Sequence, residues 1–246
     1  PLREKFMADR AVARWAGFTS ILQGLLIFIP TFVLGAAIEW PDSLDDPASI
    51  ALPRLLESEG AVRAGYFAYL VYSILFVVSI ALLSELVFGK NAGILMRIII
   101  ALAIASALAR SIGIIRWLVP MYDLADLWKG AGTEEQRYTI STTYEVLNSY
   151  GGTIGEVLGV SIFAALAILL LSIGNLRQKT LPNWFSVFGL ISAFGLLWTS
   201  TEIIGVNPGD AAIFLGTTIV QLWFLFIGLW LVVRGKNLTT KNNVGR

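Results

Sequence analysis

Six long apolar segments separated by polar connections are the dominant pattern of this chain. They cover residues 15–38, 61–88, 92–119, 153–173, 184–204 and 211–233. A helix rises about 1.5 Å per residue, so each segment can cross the roughly 30 Å of hydrocarbon in a bilayer. The runs lack the alternation of barrel strands, and backbone groups in lipid must be hydrogen-bonded within the segment. The pattern therefore predicts six membrane-spanning helices.

Two of the polar connections contain helix-start signals. Asp46 and Pro47 favour an N-cap and a first helical residue, which predicts a short interfacial helix after them. Thr133 with Gln136 three residues later is a capping-box pattern and predicts a helix over 134–150. The predicted fold class is all-α: a polytopic membrane helix bundle with six transmembrane helices and short interfacial helices on the outer side.

One membrane domain accounts for the whole length. Residues 1–14 form an N-terminal segment, 15–233 the six-span transmembrane domain and 234–246 a C-terminal tail. The chain is 56% hydrophobic and only 14% charged. A soluble domain could not cover so much apolar surface, so the lipid bilayer is the expected partner.

Charged residues are distributed unevenly between the two ends of the predicted bundle. Lys and Arg collect in the termini and in connections 89–93 and 174–183, whereas Asp and Glu collect in the other connections. The positive-inside rule then places both termini in the cytoplasm. Because orientation alone explains the basic termini, no nucleic-acid partner is expected.

The composition excludes several kinds of chemistry. The chain has no Cys and no His, which removes disulfides, thiolate nucleophiles, His-ligated metals and Ser-His catalysis. Every Lys lies in a terminus or connection, so none can form a buried Schiff base in the bundle. We therefore expect no metal, no cofactor and no catalytic residues, and a non-enzymatic role.

Two charged residues flank the second connection at similar distances from its turn. Glu85 lies near the end of the second span and Arg97 near the start of the third. Since a charge within a membrane is costly unless paired or hydrated, we expect a structural ion pair that fixes this hairpin. A proton or ion path is the alternative.

Small residues recur along the fourth span. Gly151, Gly155 and Gly159 are four residues apart and therefore share one helix face. Such a face predicts close packing against a neighbouring helix, with contact to a second copy or another subunit as the alternative. The Gly151-Gly152 pair also favours a bend before the span.

Ionisable residues cluster at one depth in the outer half of the predicted bundle. The candidate set is Arg63, Arg110, Arg116, Glu156 and Glu202, with Tyr66 and Tyr122 nearby. Because intramembrane charges usually face a bundle interior or a wet cavity, the cluster predicts an outward-opening polar pocket with Arg110 paired to Glu156 or Glu202. A closed salt-bridge network that only fixes helix register is the alternative.

Several short motifs resemble those of a known bacterial family. They are Arg14 and Gly17, the segment 59–65, Arg110, Tyr150-Gly151-Gly152, and Leu181-Pro182-Asn183-Trp184. Together they resemble the six-span membrane family catalogued as domain of unknown function 4386. The resemblance implies a bacterial plasma-membrane protein without an established activity and supplies no catalytic residues.

Three function classes remain open. A binder or transporter of a small polar or anionic ligand would use the arginines, since guanidinium groups suit carboxylate or phosphate geometry. A structural accessory subunit of a larger membrane complex, or a homo-oligomer, would use the glycine face and the aromatic sixth span. An intramembrane hydrolase would need a nucleophile with an activating base, and the sequence shows no convincing pair.

Overall fold

The structure is a computed structural model that describes residues 2–241, without the side chains of 2–9, 90, 210 and 235–241. This part of the chain is helical and contains no strand, which confirms the all-α bundle. The α-helices are α1 Leu2–Leu26, α2 Phe28–Ile38, α3 Ala48–Glu57, α4 Glu59–Phe88, α5 Ile94–Leu118, α6 Pro120–Gly130, α7 Glu134–Gly152, α8 Ala165–Gln178, α9 Asn183–Thr199 and α10 Asp210–Lys241. A π-helical segment, Thr153–Ala164, joins α7 to α8.

Six helical stretches of the described chain are long and apolar enough to cross a membrane. They are Arg10–Ile38, Glu59–Phe88, Ile94–Gly130, Glu134–Gln178, Asn183–Ile204 and Ala211–Arg234. The predicted spans are confirmed, and the protein is a multi-pass membrane protein. We call the end of the bundle with the connections 39–58 and 119–152 the acidic end, and the opposite end the basic end.

The first span is interrupted near its middle. Helix α1 ends at Leu26 and α2 begins at Phe28, two residues before Pro30. Proline has no backbone N–H, so it cannot continue the hydrogen-bond ladder back to the preceding turn. The hydroxyl of Thr31 donates to the carbonyl oxygen of Ile27 at 2.8 Å, and the backbone N–H of Thr31 donates to the same oxygen at 3.2 Å.

The first and last spans pack closely because glycines remove side-chain bulk where they cross. A Cβ atom on Gly24 would lie 2.9 Å from the carbonyl oxygen of Gln221, and one on Gly228 would lie 2.6 Å from the nitrogen of Ile21. Helix α10 also packs on α9, while α4 packs on α1, α2 and α5. The fourth span, formed by the π-helical segment and α8, lies against α5 and α9.

The short helices at the acidic end agree with their predicted positions but differ in one cap. The Thr133 and Gln136 side chains form the predicted capping box at the start of α7. Helix α3 begins at Ala48, so Pro47 rather than Asp46 occupies the cap position. The Asp46 carboxylate is instead held by Arg54, at 2.8 Å from its Nη1. The Asp46 side chain therefore forms an ion pair with Arg54 and does not cap the helix as the sequence pattern predicted.

Two buried apolar clusters fill the bundle. One includes Phe76, Ile80, Trp223 and Phe224, and packs α4, α5, α8, α9 and α10 together. The other includes Trp117 and lies at the acidic end beneath the short helices. Large apolar side chains on the outward faces, such as Phe32, Phe67, Leu108, Phe194 and Leu229, are exposed, as lipid-facing residues of a bundle should be.

Candidate functional site

Helix α5 supplies the charged residues of the candidate site from its buried face. Ser106, Arg110 and Gly113 are buried, and their three- and four-residue spacing places them on one side of the helix. Leu108 and Ile112 on the other side are exposed to the surroundings. The predicted inward orientation of Arg110 follows from this arrangement, because the apolar side chains of α5 occupy the lipid face.

A small cavity lies beside Arg110 in the half of the bundle nearer the acidic end. Its lining residues are Trp40, Leu44, Tyr66, Tyr69, Arg110, Gly113, Ile114, Arg116, Trp117, Gly155 and Glu156. The volume open to the centres of water molecules is about 30 Å³. A site of this size has room for about two water molecules. The structure therefore brings together Arg110, Arg116, Tyr66 and Glu156 from the sequence-predicted set.

Arg110 is buried without a carboxylate partner. It is 4% exposed, and its Nε and Nη2 atoms have no hydrogen-bond partner among the described residues. The guanidinium carbon lies 4.5 Å from the ring centre of Phe76 and 5.7 Å from that of Tyr72. Aromatic faces attract a cation, but they do not accept its in-plane N–H groups as an anion would. The expected pair with Glu156 or Glu202 is absent.

Arg116 is the residue that approaches Glu156. Its Nη2 lies 4.0 Å from the Glu156 carboxylate, and its Nη1 donates to the carbonyl oxygen of Gly113 at 3.2 Å. Arg116 is 6% exposed but Glu156 is 61% exposed, so this pair is loose and open on one side. The Nε of Arg116 has no partner among the described atoms. Like Arg110, this side chain lines the cavity and has hydrogen-bonding capacity that no described atom uses.

The glycines of the fourth span make room for these arginines. A Cβ atom on Gly151 would lie 2.7 Å from Cδ of Arg116, and one on Gly159 would lie 2.8 Å from Cγ of Arg110. Between them, a Cβ on Gly155 would lie 3.1 Å from Cα of Gly113. The glycine face thus packs against α5 inside the molecule, which leaves it unavailable to a second copy or another subunit.

The junction before the fourth span is helical throughout, including Gly151-Gly152. Helix α7 continues directly into the π-helical segment Thr153–Ala164. The Ser106 hydroxyl donates to the carbonyl oxygen of Gly159 at 2.7 Å and ties this segment to α5. The π-helical segment contributes Gly155 and Glu156 to the cavity wall.

Three residues of the predicted set lie away from the cavity. Arg63 is exposed, pairs with Glu59 at 2.8 Å and donates to the carbonyl oxygen of Leu118 at 2.9 Å. Its guanidinium carbon lies 3.9 Å from the ring centre of Tyr122, whose hydroxyl donates to the backbone of Glu59. Glu202 is exposed in a 3₁₀ turn after α9. Arg63 and Tyr122 therefore form a separate contact between α4 and α6.

The expected ion pair between Glu85 and Arg97 is not present. Both side chains are exposed, and no ion-pair contact joins them in the structure. The buried face of α4 near its end carries Ser84, Val87 and Phe88, so Glu85 points away from the bundle. The prediction of a pair was wrong because the distance of a residue from the turn does not determine the side of the helix on which its side chain lies.

Apart from Tyr66, the aromatic residues around the cavity were not predicted from the sequence. Tyr66 stacks on Trp117 with ring centres 5.6 Å apart and an angle of 1° between the planes. Trp40 contacts Tyr69 edge-on at 6.1 Å and lies at the mouth of the cavity. Tyr66, Tyr69 and Tyr72 recur every three residues on α4, which is the one pattern that could have indicated an aromatic wall facing the arginines.

The geometry defines an all-α, multi-pass membrane protein with a buried cationic cavity. A family model described as "Domain of unknown function (DUF4386)" matches residues 15–235 of the chain. The protein belongs to this family, as the sequence motifs indicated. Neither a curated protein nor a solved structure matches the chain.

Proposed function

We propose that the protein binds a small monovalent anion in the cavity beside Arg110. The observation that supports this proposal is a buried guanidinium group whose Nε and Nη2 atoms have no partner among the described residues. A buried charge is strongly destabilising unless a counter-charge accompanies it. An anion in the cavity supplies that counter-charge and accepts the free N–H groups.

The net charge of the cavity wall favours a ligand with one negative charge. Arg110 and Arg116 bring two positive charges to the cavity wall, and Glu156 is the acidic side chain that lines it within the described chain. The formal balance is two positive charges against one negative charge, so one positive charge remains uncompensated. The free hydroxyl of Tyr66 and the Nε of Arg116 provide further donors for the same ligand.

The volume of the cavity limits the size of the ligand. The cavity has about 30 Å³ for the centres of water-sized spheres, which corresponds to about two water molecules. Chloride, nitrate and formate are of this size, whereas a sugar acid is much larger. A carboxylate or nitrate group can also accept two N–H groups from the edge of one guanidinium.

The test is anion-dependent thermal unfolding of the purified protein, followed by the fluorescence of its 8 Trp residues. Chloride, nitrate and formate are compared with gluconate at equal ionic strength, since gluconate carries the same charge but is too large. A ligand at 100 times its Kd stabilises the folded state by about 2.7 kcal/mol. We expect a saturable rise in Tm with the small anions, and the same Tm in all four salts would overturn the proposal.

Two arginine variants show where the anion that raises the Tm binds. Arg110→Met keeps most of the side-chain volume and removes the charge, so the rise in Tm with chloride should disappear. Arg63→Met is the matched control, because it removes a nearby arginine that is exposed and paired with Glu59. A chloride response that survives in Arg110→Met would place the anion elsewhere. A purely structural bundle, the accessory-subunit alternative, predicts no response in any variant.

We further infer that the acidic end faces outward and that both termini are cytoplasmic in a bacterial plasma membrane. The support is the concentration of Lys and Arg at the basic end. The chain has no native Cys, so single cysteines report cleanly. A cysteine at Asp45 should react with an impermeant maleimide in intact cells, and one at Lys179 only after permeabilisation; the reverse pattern would invert the orientation.

A further inference from the structure

Unpartnered polar groups continue into the middle of the bundle beyond Arg110. Gln23 lies near the centre of the first span, is 0% exposed, and has no hydrogen-bond partner for either amide atom among the described residues. The Oε1 atom of Gln221, near the centre of the last span, is also unpartnered there. Such groups are costly in hydrocarbon unless they are hydrogen-bonded, and water or a polar ligand at this depth would satisfy them.

Tyr72 connects these amides to the cationic cavity. Its ring centre is 5.7 Å from the guanidinium carbon of Arg110, and its hydroxyl accepts a hydrogen bond from Nε2 of Gln221 at 2.7 Å. The backbone oxygen of Gln221 in turn lies against Gly24, the residue next to Gln23. Polar side chains of α4 and α10 are thus hydrogen-bonded to each other beside Arg110, and α1, which carries Gln23, packs against α10.

Buried serine hydroxyls lie on α1 and α4 closer to the basic end. Ser20 lies one turn from Gln23 on α1, and Ser79 and Ser84 lie on the buried face of α4, which packs against α1. All three hydroxyls are buried and have no partner among the described atoms. A serine on a helix usually bonds to its own backbone when nothing else is present, as Ser73 does with Tyr69.

Phe76 is a buried aromatic side chain next to Arg110 and Tyr72. It lies between Tyr72 and Ser79 along α4, and the guanidinium carbon of Arg110 lies 4.5 Å from its ring centre. Its ring meets that of Phe224 edge-on, with 6.0 Å between centres. Phe76 is 2% exposed and belongs to the buried apolar cluster. A ring packed in this way excludes water and ions until it moves, which is the property of a hydrophobic gate.

We propose that the cavity is the entrance of a permeation pathway and that the protein carries small monovalent anions across the bilayer. Tyr72, Gln221 and Gln23 provide hydrogen-bond donors along the pathway, and Phe76 is its gate. The inference rests on the proposed anion site and adds transport to it. Polar side chains that face a bundle interior commonly mark such paths in membrane proteins.

The experiment measures chloride flux in proteoliposomes that contain a chloride-quenched fluorophore, with valinomycin and potassium to remove the membrane potential. We expect wild-type vesicles to move chloride faster than protein-free vesicles, and Phe76→Ala to move it faster still. Gln221→Leu should lower the flux to the protein-free level while the rise in Tm with chloride is retained. Gln178→Leu, at the exposed end of α8, is the matched control and should leave the flux unchanged.

The outcomes separate the two proposals. A rise in Tm with chloride but no flux in wild-type or Phe76→Ala vesicles overturns transport and leaves the anion site standing. Flux that persists in Gln221→Leu overturns this pathway. Absence of any response in Tm overturns the anion site itself. Should Gln221→Leu fail to fold, Tyr72→Phe removes the hydroxyl that accepts the Gln221 hydrogen bond and provides the same test.

Discussion

Gly159→Ala places one methyl group at the point where the fourth span touches α5. The added Cβ would lie 2.8 Å from Cγ of Arg110, 3.0 Å from its backbone nitrogen and 3.3 Å from Cβ of Ala109. The Arg110 side chain can shift, but the backbone contact is relieved only when the helices move apart. Overpacking of this kind costs about 1–3 kcal/mol, offset by roughly 1 kcal/mol from the better helix propensity of alanine.

The matched control is Gly60→Ala in the first turn of α4. A Cβ atom there meets nothing within 4 Å, so the propensity gain should appear alone, at about 0.5–1 kcal/mol. Thermal unfolding should therefore give a lower Tm for Gly159→Ala and an equal or higher Tm for Gly60→Ala. The chloride response of Gly159→Ala should also weaken, because Arg110 is displaced. Equal Tm values for the two variants would refute the close packing of Gly159 on α5.

Two further predictions concern single side-chain contacts. Ser106→Ala removes the hydrogen bond to the carbonyl oxygen of Gly159, and we expect a loss of about 0.6–1.5 kcal/mol, measured by chemical denaturation in mixed micelles; an unchanged stability would contradict the bond. For Glu85 and Arg97, a double-mutant cycle with alanine should give a coupling energy below about 0.5 kcal/mol, because the structure forms no pair between them. A larger coupling energy would contradict the structure and support the ion pair that the sequence predicted.

The positions of the helices followed from the sequence because they depend on local properties. Span length and apolarity determine which segments cross a membrane, and all six predicted spans are present. The capping box of Thr133 and Gln136 is equally local, since both partners lie within one turn. The burial of Arg110 was predictable for the same reason, because the spacing of Ser106 and Gly113 defines the polar face of α5.

Contacts between helices depend on how each helix is rotated about its own axis. Local sequence patterns do not determine this rotation. Equal distance from a turn suggested a partner for Glu85, but the buried face of α4 directs this side chain outward. The depth of Arg110 suggested a carboxylate, whereas its neighbours are Phe76 and Tyr72 on another helix. The glycine spacing predicted close packing, yet only the structure identified the arginine side chains beside these glycines, Arg110 at Gly159 and Arg116 at Gly151.

The most direct test of the account is a structure of the protein prepared in bromide, with anomalous scattering used to locate the ion. Bromide carries the single negative charge that the cavity lacks and replaces chloride in the same contacts. We predict one anomalous peak within hydrogen-bond distance of Nε or Nη2 of Arg110, absent in Arg110→Met. A structure with these atoms bonded to a protein carboxylate, or a cavity without bromide at saturating concentration, would contradict the account.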